Sequence, residues 1–420
     1  MRSWRDKQIE LDGKLTRVWL RRSRFLAREF SWLSDDKQSM FSPASSAISS
    51  RILPTVFLQH KADDWVLMSC DVQDAFLTVR QKEPTMVIAK DAAGREQAYA
   101  LGRVLPGQRA GSLLWNEAIT NHLKDVLDME ECTIYPSMLK TKDNKLFILL
   151  HVDDFLVTGH VDMVEKRLIP ALKSSYKISD SIIRQMGEEL TFLKRSHVLL
   201  NDELMLIKPH HTHISHLKEI VSVHPKAYPK KTPSHPSIDD EDDTVLLSAE
   251  MMAKYRSAVG TLLYLAADLP HCQHCIRFLA TKMTAATEHC WQVLKHLVLY
   301  LSGTQDVCLS LNFKGQQRGV FHDYTSVEHA IVEVYTDADW ASSKGDRRSI
   351  SSCAIFYGGC LLHTASRTQK IVSLSSAESE MYAAASGACD AVLIIGILTW
   401  MFDSFFQMCL YLDSAAARGI

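Results

Sequence analysis

Two adjacent carboxylates interrupt an apolar run, and their position is the first sign of chemistry in this sequence. Asp153 and Asp154 lie in LFILLHVDDFLVTG, residues 146–159. The apolar residues on either side predict a β-hairpin packed on a core, with Val152, Asp153 and Asp154 at its turn. Like charges this close resist ionisation unless a cation shares them, so the pair favours a divalent metal site with oxygen ligands. These residues alone also allow an ordinary Asp-containing turn.

A third carboxylate follows an apolar strand earlier in the chain. In WVLMSCDVQDAFLTV, residues 65–79, the predicted strand ends at Asp71, and Phe76 comes five positions later. One carboxylate at a strand end and two at a hairpin turn form the ligand set of a palm-type polymerase, which uses two Mg²⁺ ions for nucleotidyl transfer. Phe76 alternates with apolar neighbours, so a plain core position is also open for it.

Several further segments follow the same order as in one known family. They are RRSRFLAREF (21–30), MFSP (40–43), LPGQRAGSLLWN (105–116), YRSAVGTLLYLA (255–266), YLSGT (300–304), YTDADWA (335–341) and SLSSAESEMYAA (373–384). Together with the two acidic stretches, which look like motifs A and C, they resemble the Pol polyprotein of copia-type LTR retrotransposons over almost the whole chain. The resemblance implies a reverse transcriptase, which is an RNA-directed DNA polymerase, with an attached ribonuclease H region.

The resemblance also implies roles for residues around the polymerase site. Asp71, Asp153 and Asp154 would be the catalytic ligands of two Mg²⁺ ions, with Mn²⁺ as the substitute ion. Phe76 would lie against the sugar of the incoming nucleotide and exclude ribonucleotides. The other implied substrate contacts are Arg22 and Arg24 to the triphosphate, and Gln108 to the template or nucleotide.

A second acidic set occurs near the C-terminal end of the sequence. Asp337 ends a predicted strand, Glu378 falls in the first turn of a predicted helix, and Asp413 follows a later strand. Matched to the family, these three are the catalytic metal ligands of ribonuclease H, and Asp339 and Glu380 fall outside the set. Acids are also common at helix N-termini because they stabilise the helix dipole. The LDSA around Asp413 could alternatively be an aspartic protease motif, which would need a longer β-rich domain.

Three departures from the family pattern bear on activity. His151 stands where the family most often has Tyr, and the segment after Gly107 lacks the family's Pro before Arg. The chain ends seven residues after Asp413, so we expect ribonuclease H activity to be weak or absent. The sequence therefore leaves two functions open, an active polymerase and a catalytically inactive, nucleic-acid-binding remnant of a decayed retrotransposon.

Composition and partners fit a globular, non-secreted protein. The 420 residues are 46% hydrophobic with a net charge of −2, which predicts sizeable cores. The N-terminus lacks a signal-peptide core, and AVLIIGILTWMF at 391–402 is too short to span a bilayer, so we expect an intracellular protein, cytoplasmic in particles or nuclear, with no membrane partner. The expected partners are an RNA template, a DNA primer, the RNA–DNA hybrid and deoxynucleoside triphosphates, in an oligomeric state that the sequence leaves open.

Cysteine and histidine clusters invite a metal interpretation that the spacing does not support. The ten cysteines have no paired spacing, which favours reduced thiols. Cys272 and Cys275 form a C-x-x-C flanked by histidines, but no second ligand pair lies at zinc-finger spacing. The histidines of KPHHTHISHLKE, at 210, 211, 213 and 216, are expected on a partly exposed loop and helix.

The sequence predicts an α+β protein in four parts. Residues 1–224 would form the reverse transcriptase fingers and palm, with a helix at 113–128, and residues 225–247 a Pro-rich and acidic linker. Residues 248–329 would form a helical connection in which Ser248 caps one helix. A second helix there would end at Gly303 and have one apolar face, formed by Trp291, Leu294, Leu297, Val298 and Leu301.

Residues 330–420 would form a ribonuclease H-like α/β domain truncated at its C-terminal end. We expect it to contain two strands around the Gly-Gly turn of CAIFYGGCLLHTA (353–365), a helix capped by Ser376 and a buried helix at 391–402.

Overall fold

The chain folds as an α+β protein organised around a six-stranded, a five-stranded and a four-stranded sheet. The computed structural model describes residues 2–11, 14–23, 25–29, 42–91, 93–224, 226–238, 245–320, 328–343 and 345–418. The strands are β1 (Arg2–Leu11), β2 (Lys14–Ser23), β3 (Trp65–Val72), β4 (Met86–Lys90), β5 (Glu96–Ala100), β6 (Met129–Glu131), β7 (Met138–Thr141), β8 (Leu146–His151), β9 (Asp154–His160), β10 (Ile178–Ile183), β11 (Glu189–Phe192), β12 (Arg195–Asn201), β13 (Leu204–Pro209), β14 (Leu309–Asn312), β15 (Arg318–Val320), β16 (Glu328–Asp339), β17 (Ile350–Tyr357), β18 (Cys360–Thr368) and β19 (Phe406–Tyr411). The helices are α1 (Ala47–Gln59), α2 (Ala75–Thr78), α3 (Gly111–Leu127), α4 (Ile169–Ser175), α5 (Thr212–Ile220), α6 (Ala249–Leu265), α7 (Gln273–Thr281), α8 (Glu288–Gly303), α9 (Ser376–Phe402) and α10 (Ala415–Arg418).

The six-stranded sheet carries both acidic stretches that the sequence singles out. Its strand order is β10-β3-β9-β8-β7-β6, and all neighbours are antiparallel. Alternation along β8 sends Phe147 and Leu149 into a core with α1, and Ile148 and Leu150 into a core with α3. Because helices cover both faces, β8 is apolar from Leu146 to Leu150, as the predicted hairpin requires.

A helical layer follows the six-stranded sheet in sequence. Helices α5 to α8 share an apolar core of their own. Ser248 caps α6 by accepting a hydrogen bond from the Met251 N–H at 3.3 Å, and α8 ends at Gly303, both as the sequence predicts. The residues predicted to form the apolar face of α8 are all buried, namely Trp291, Leu294, Leu297, Val298 and Leu301.

The C-terminal sheet is built around β16, which pairs antiparallel with β17 and parallel with β19. The turn between β17 and β18 contains Gly358 and Gly359, with φ of 57° and 86°. Both lie in the left-handed region that glycine adopts without strain, which confirms the predicted Gly-Gly turn. Helix α9 packs on this sheet and begins after Ser375, one residue before Ser376, which the sequence favours as the cap.

Helix α9 is long and apolar enough to cross a membrane by length and composition alone. In the fold it is a core helix, because Ala391, Ile394 and Leu398 share one apolar core with α1 and the C-terminal sheet. Its last turn is tied to β7 by Lys140, whose Nζ donates to the Trp400 carbonyl at 2.6 Å. The prediction that residues 391–402 form a buried helix is confirmed.

Cys272 and Cys275 are core residues of the helical layer. Their side chains are 0% and 1% exposed, and burial raises the pKa of each thiol to about 12. Among the described residues, neither cysteine belongs to a group of three side chains close enough to share a metal ion. His210, His211 and His216 are exposed, as the sequence predicts.

Candidate active site

The three aspartates of the two acidic stretches meet at one end of β3 and β9. Asp71 lies directly opposite Asp154 in the antiparallel pair. Opposed residues in such a pair have Cβ atoms about 4.5–5.5 Å apart. The Val72 N–H donates to the Asp153 carbonyl at 2.9 Å, which ties the hairpin turn to the end of β3. The structure therefore brings together residues that are about 80 positions apart in sequence.

Negative charge accumulates at this point. Burial, followed by the charges of Asp153 and Asp71, raises the pKa of the Asp154 carboxyl to about 6. Burial and the charge of Asp153 also raise the pKa of Asp71, against a hydrogen bond from the Ser179 side chain that lowers it. A divalent cation would relieve this repulsion, and carboxylate oxygens are the ligands that Mg²⁺ prefers.

Helix α3 holds the acidic turn in place. Val152 has a φ of 55°, a strained value for a β-branched residue. Its carbonyl accepts a hydrogen bond from Trp115 Nε1 at 2.7 Å, and Trp115 is 1% exposed. The sequence shows Trp115 as a family residue, but only the fold shows that its indole fixes the turn between β8 and β9.

His151 and Phe76 come from the same two acidic stretches as the aspartates. His151 Nδ1 is 2.8 Å from Ser45 Oγ, and burial lowers the pKa of the imidazole. Phe76 is half-buried, and a Cβ added to Gly111 would lie 3.3 Å from its ring. Phe76 thus packs on the start of α3 while part of its ring stays accessible, which is compatible with both roles that the sequence allows.

Gln108 stabilises the loop that precedes α3. Its Oε1 accepts a hydrogen bond from the Leu105 N–H at 2.6 Å. The adjacent Gly107 has a φ of 95°, and a Cβ there would clash with the Ala27 carbonyl. Gln108 therefore has a local role in closing the loop, and its contact with template or nucleotide stays a prediction.

A cavity of about 730 Å³ opens beside Asp154. Its lining includes His151 from the hairpin, Ser46 before α1, Lys194 and Arg195 from the β11–β12 turn, and Tyr264 from α6. Arg195 pairs with Asp268 at 2.9 Å, and its guanidinium lies 4.9 Å from the centre of the Tyr264 ring. Lys194 and Arg195 cannot be recognised as site residues from the sequence, because only the fold brings the β11–β12 hairpin next to the aspartates.

A second acidic cluster forms on the C-terminal sheet. Carboxylate oxygens of Asp337, Glu380 and Asp413 all lie within 4.8 Å of one another. Glu380 is 7% exposed, and its Oε1 accepts a hydrogen bond from the Ala338 N–H at 3.2 Å. Burial, then the charges of Asp413 and Asp337, raise the pKa of Glu380. This donor set also suits a hard divalent cation.

The assignment of Glu378 to this cluster is wrong, and Glu380 takes its place. Glu378 Oε2 accepts a hydrogen bond from the Leu374 N–H at 2.7 Å, while the Glu378 N–H donates to Ser375 Oγ at 3.2 Å. This reciprocal pair caps α9. Two helical positions rotate a side chain by about 200°, so only one of the two glutamates can face the sheet. The sequence does not fix which one, because the answer depends on where the helix starts.

Comparisons with known proteins agree with this geometry. Residues 11–192 match the family model described as "Reverse transcriptase (RNA-dependent DNA polymerase)". The chain is 26% identical over 411 residues to the retrovirus-related Pol polyprotein from transposon RE1 of Arabidopsis thaliana, covering 94% of this chain and 25% of that protein. It is 24% identical over 396 residues to the corresponding polyprotein from transposon TNT 1-94 of Nicotiana tabacum, covering 91% of this chain and 28% of that protein. The resemblance to the Pol polyproteins of copia-type retrotransposons is thus confirmed.

This Pol segment spans about a quarter of the length of the curated relatives that it matches. Among solved structures it is similar to a foamy viral protease-reverse transcriptase in complex with double-stranded DNA, at a TM-score of 0.47 and 12% identity, covering 97% of this chain and 64% of that one. Two of its predicted substrate residues remain without a test. The side chain of Arg22 in β2, and all of Arg24, lie outside the described residues.

Proposed function

We propose that this Pol segment is an RNA-directed DNA polymerase with its catalytic centre at Asp71, Asp153 and Asp154. The observation that supports the proposal most strongly is the register of β3 and β9, which sets Asp71 opposite Asp154 with Asp153 in the adjoining turn. Two separately recognised motifs thus supply one carboxylate site. The proposed partners are an RNA template, a DNA primer and deoxynucleoside triphosphates.

The three aspartates fit a pair of Mg²⁺ ions by the chemistry of their donors. They offer only carboxylate oxygens, and the raised pKa values of Asp71 and Asp154 support a site that favours added positive charge. When bound, Mg²⁺ lowers the pKa of the primer hydroxyl and neutralises charge on the triphosphate. The remaining requirement is rigidity, which the Trp115 and Val72 hydrogen bonds provide by fixing the turn that carries Asp153.

The surroundings of the aspartates support roles in binding nucleic acid. The cavity beside Asp154 has basic groups at Lys194 and Arg195, and an aromatic ring at Tyr264. Basic side chains neutralise phosphates, and an exposed ring can stack on a base or a sugar. The half-buried Phe76 is proposed to discriminate against ribonucleotides from α2, where it packs on the start of α3.

The cluster of Asp337, Glu380 and Asp413 is proposed as the ribonuclease H site of the same chain. These carboxylates would hold the divalent cations that polarise a scissile phosphate of an RNA–DNA hybrid. Cleavage of the RNA strand of a hybrid tests this site. Mg²⁺-dependent cleavage should disappear in Asp337→Asn, and cleavage that persists in this variant would contradict the proposal.

Primer extension on a homopolymer RNA template tests the polymerase proposal. Wild-type protein should extend a DNA primer in Mg²⁺, and Asp153→Asn should abolish extension while it still binds the primer–template. Asp162→Asn is the matched control, because this aspartate also lies close to the hairpin but pairs with Lys166 at 2.7 Å on the surface. Wild-type protein that binds primer–template without extending it would instead support the catalytically inactive remnant.

A further inference from the structure

A third cluster of metal-ligand side chains lies in the C-terminal unit, outside both acidic sites. Cys353 comes from β17, His363 from β18 and Asp390 from α9. One ligand atom of each lies within 4.8 Å of the others. In the described parts of the chain this is one of two such sets of three, and it alone combines sulfur, nitrogen and oxygen donors.

The distances in this cluster are close to those of a tetrahedral zinc site. Asp390 Oδ2 lies 3.7 Å from Cys353 Sγ and 3.3 Å from His363 Nε2. Zinc bonds of about 2.3 Å to sulfur and about 2.0–2.1 Å to nitrogen and oxygen give tetrahedral edges of about 3.5 Å for S···O and about 3.3 Å for N···O. The three donors therefore need only small shifts to share one cation.

The imidazole of His363 faces the carboxylate of Asp390. Its Nε2 is shielded from solvent and pairs with Asp390 Oδ2 at 3.3 Å. A cation between the nitrogen and the carboxylate can take the place of the proton in this pair, because metal ligation uses the nitrogen lone pair.

Arg367 already binds the Asp390 carboxylate, so a cation would compete with it for this group. Its Nη1 lies 2.6 Å from Asp390 Oδ2 and 3.1 Å from Ser386 Oγ, and its Nη2 lies 3.2 Å from Asp390 Oδ1. The Arg367 side chain is 47% exposed, so it can move without being desolvated further. It can keep Oδ1 and Ser386 as partners while Oδ2 turns to the cation.

We propose that Cys353, His363 and Asp390 bind one thiophilic divalent cation of the zinc class. Binding forms a bond from the cation to the Cys353 sulfur and releases the thiol proton to solvent, so that thiolate and carboxylate together balance the added charge. His363 ligates as neutral imidazole, and water takes the fourth position. The S, N, O donor set favours zinc over Mg²⁺. The cation would tie both strands to α9, the helix that carries Glu380.

Cobalt substitution tests the proposal directly. The reduced, chelator-treated full chain is titrated with Co²⁺ in excess Mg²⁺, which occupies the carboxylate sites. We expect an ultraviolet thiolate-to-cobalt band and tetrahedral visible bands that saturate at one equivalent and that Zn²⁺ abolishes. His363→Gln should weaken Co²⁺ binding by more than about 100-fold, beyond the effect typical of a residue outside the ligand set.

The control is Cys360→Ser, which alters another buried cysteine of the same sheet. It should keep the cobalt bands, whereas Cys353→Ser should lose the thiolate band. His363→Gln changes a partly exposed side chain and keeps the test valid where Cys353→Ser does not fold. The proposal is overturned by wild-type protein without a thiolate band, by bands that His363→Gln leaves unchanged, or by bands that Cys360→Ser removes.

Discussion

At the scale of single residues, the sequence singled out Asp71, Asp153 and Asp154 because each stands out against an apolar strand. A carboxylate next to buried strand residues needs a cation or a partner, so these three could be proposed as metal ligands without the fold. The same reasoning failed between Glu378 and Glu380. Two acids in one helical turn look alike in sequence, and only the cap formed by Ser375 shows which of them faces the sheet.

Asp154→Asn should stabilise the metal-free protein at neutral pH. The folded pKa of Asp154, about 6, lies above its ordinary value, so folding is favoured at low pH and loses free energy as pH rises through about 6. The amide side chain of the variant does not ionise, so the variant avoids this loss. We expect its free energy of unfolding to be higher by roughly 1 kcal/mol after solvent screening is considered. Thermal unfolding in chelator should show the gain near pH 7 and no gain near pH 4. An equal gain at both pH values would contradict the electrostatic explanation.

Glu378→Gln and Glu380→Gln should separate the helix cap from the acidic cluster. Loss of the Glu380 carboxylate should abolish divalent-cation binding at the Asp337 cluster, measured by calorimetry in protein whose polymerase site is blocked by Asp153→Asn. Glu378→Gln should retain binding and lower the free energy of unfolding by at most about 1 kcal/mol, because a Gln at this position can still cap. The correction of Glu378 to Glu380 would be wrong if the two variants exchanged these phenotypes.

At the scale of elements, apolar periodicity predicted the hairpin β8–β9, the strand β3 and the helices α3, α6 and α8. Hydrophobic patterning predicts these elements because the layers that cover a strand or helix decide which of its side chains must be apolar. What periodicity could not supply was the contact between elements. The hydrogen bond from Trp115 to the Val152 carbonyl joins α3 to the hairpin, and neither an apolar Trp nor a Val at a turn indicates this contact in sequence.

Trp115→Phe should slow nucleotide addition more than it weakens binding of primer–template. The ring is kept, but the Val152 carbonyl loses its donor, which should cost about 1–2 kcal/mol of stability and loosen the turn that carries Asp153. Steady-state primer extension should show a lower kcat at similar primer–template Kd. Trp291→Phe in α8 is the control, because that buried indole lies in a separate core. A loss of kcat of the same size in the control would point to a general loss of stability.

At the scale of the whole molecule, the C-terminal sheet and the six-stranded sheet share one apolar core through α1 and α9. This sharing explains why α9 has the composition of a membrane helix. The apolar run at 391–402 predicts a buried helix, but it does not indicate which layers of the fold cover that helix. Lys140 illustrates the limit, since a lysine in a short strand reads as exposed, yet its side chain is 1% exposed and bound to the end of α9.

Asp403→Ala should loosen the attachment of α9 to the six-stranded sheet. The Lys140 ammonium donates to Asp403 at 2.8 Å, and the variant leaves it buried with Glu130 and the Trp400 carbonyl. We expect a loss of about 1–3 kcal/mol in the free energy of unfolding, reduced from the value for a fully buried pair because Asp403 is 62% exposed. Asp202→Ala, which breaks an exposed contact with Lys61 at 3.9 Å, should change stability by less than about 0.5 kcal/mol. Equal effects in urea unfolding would refute a special role for Lys140.

The meeting of Asp71 with the hairpin turn is tested most directly by iron-directed backbone cleavage. Fe²⁺ replaces Mg²⁺ in the full chain, and hydroxyl radicals generated at the bound ion cut the backbone nearby. We expect cuts both near Asp71 and at residues 152–154, suppressed together by Mg²⁺ and abolished together by Asp153→Asn. Cutting at only one of these segments, or cuts that persist in Asp153→Asn, would contradict a shared metal site and with it the polymerase assignment.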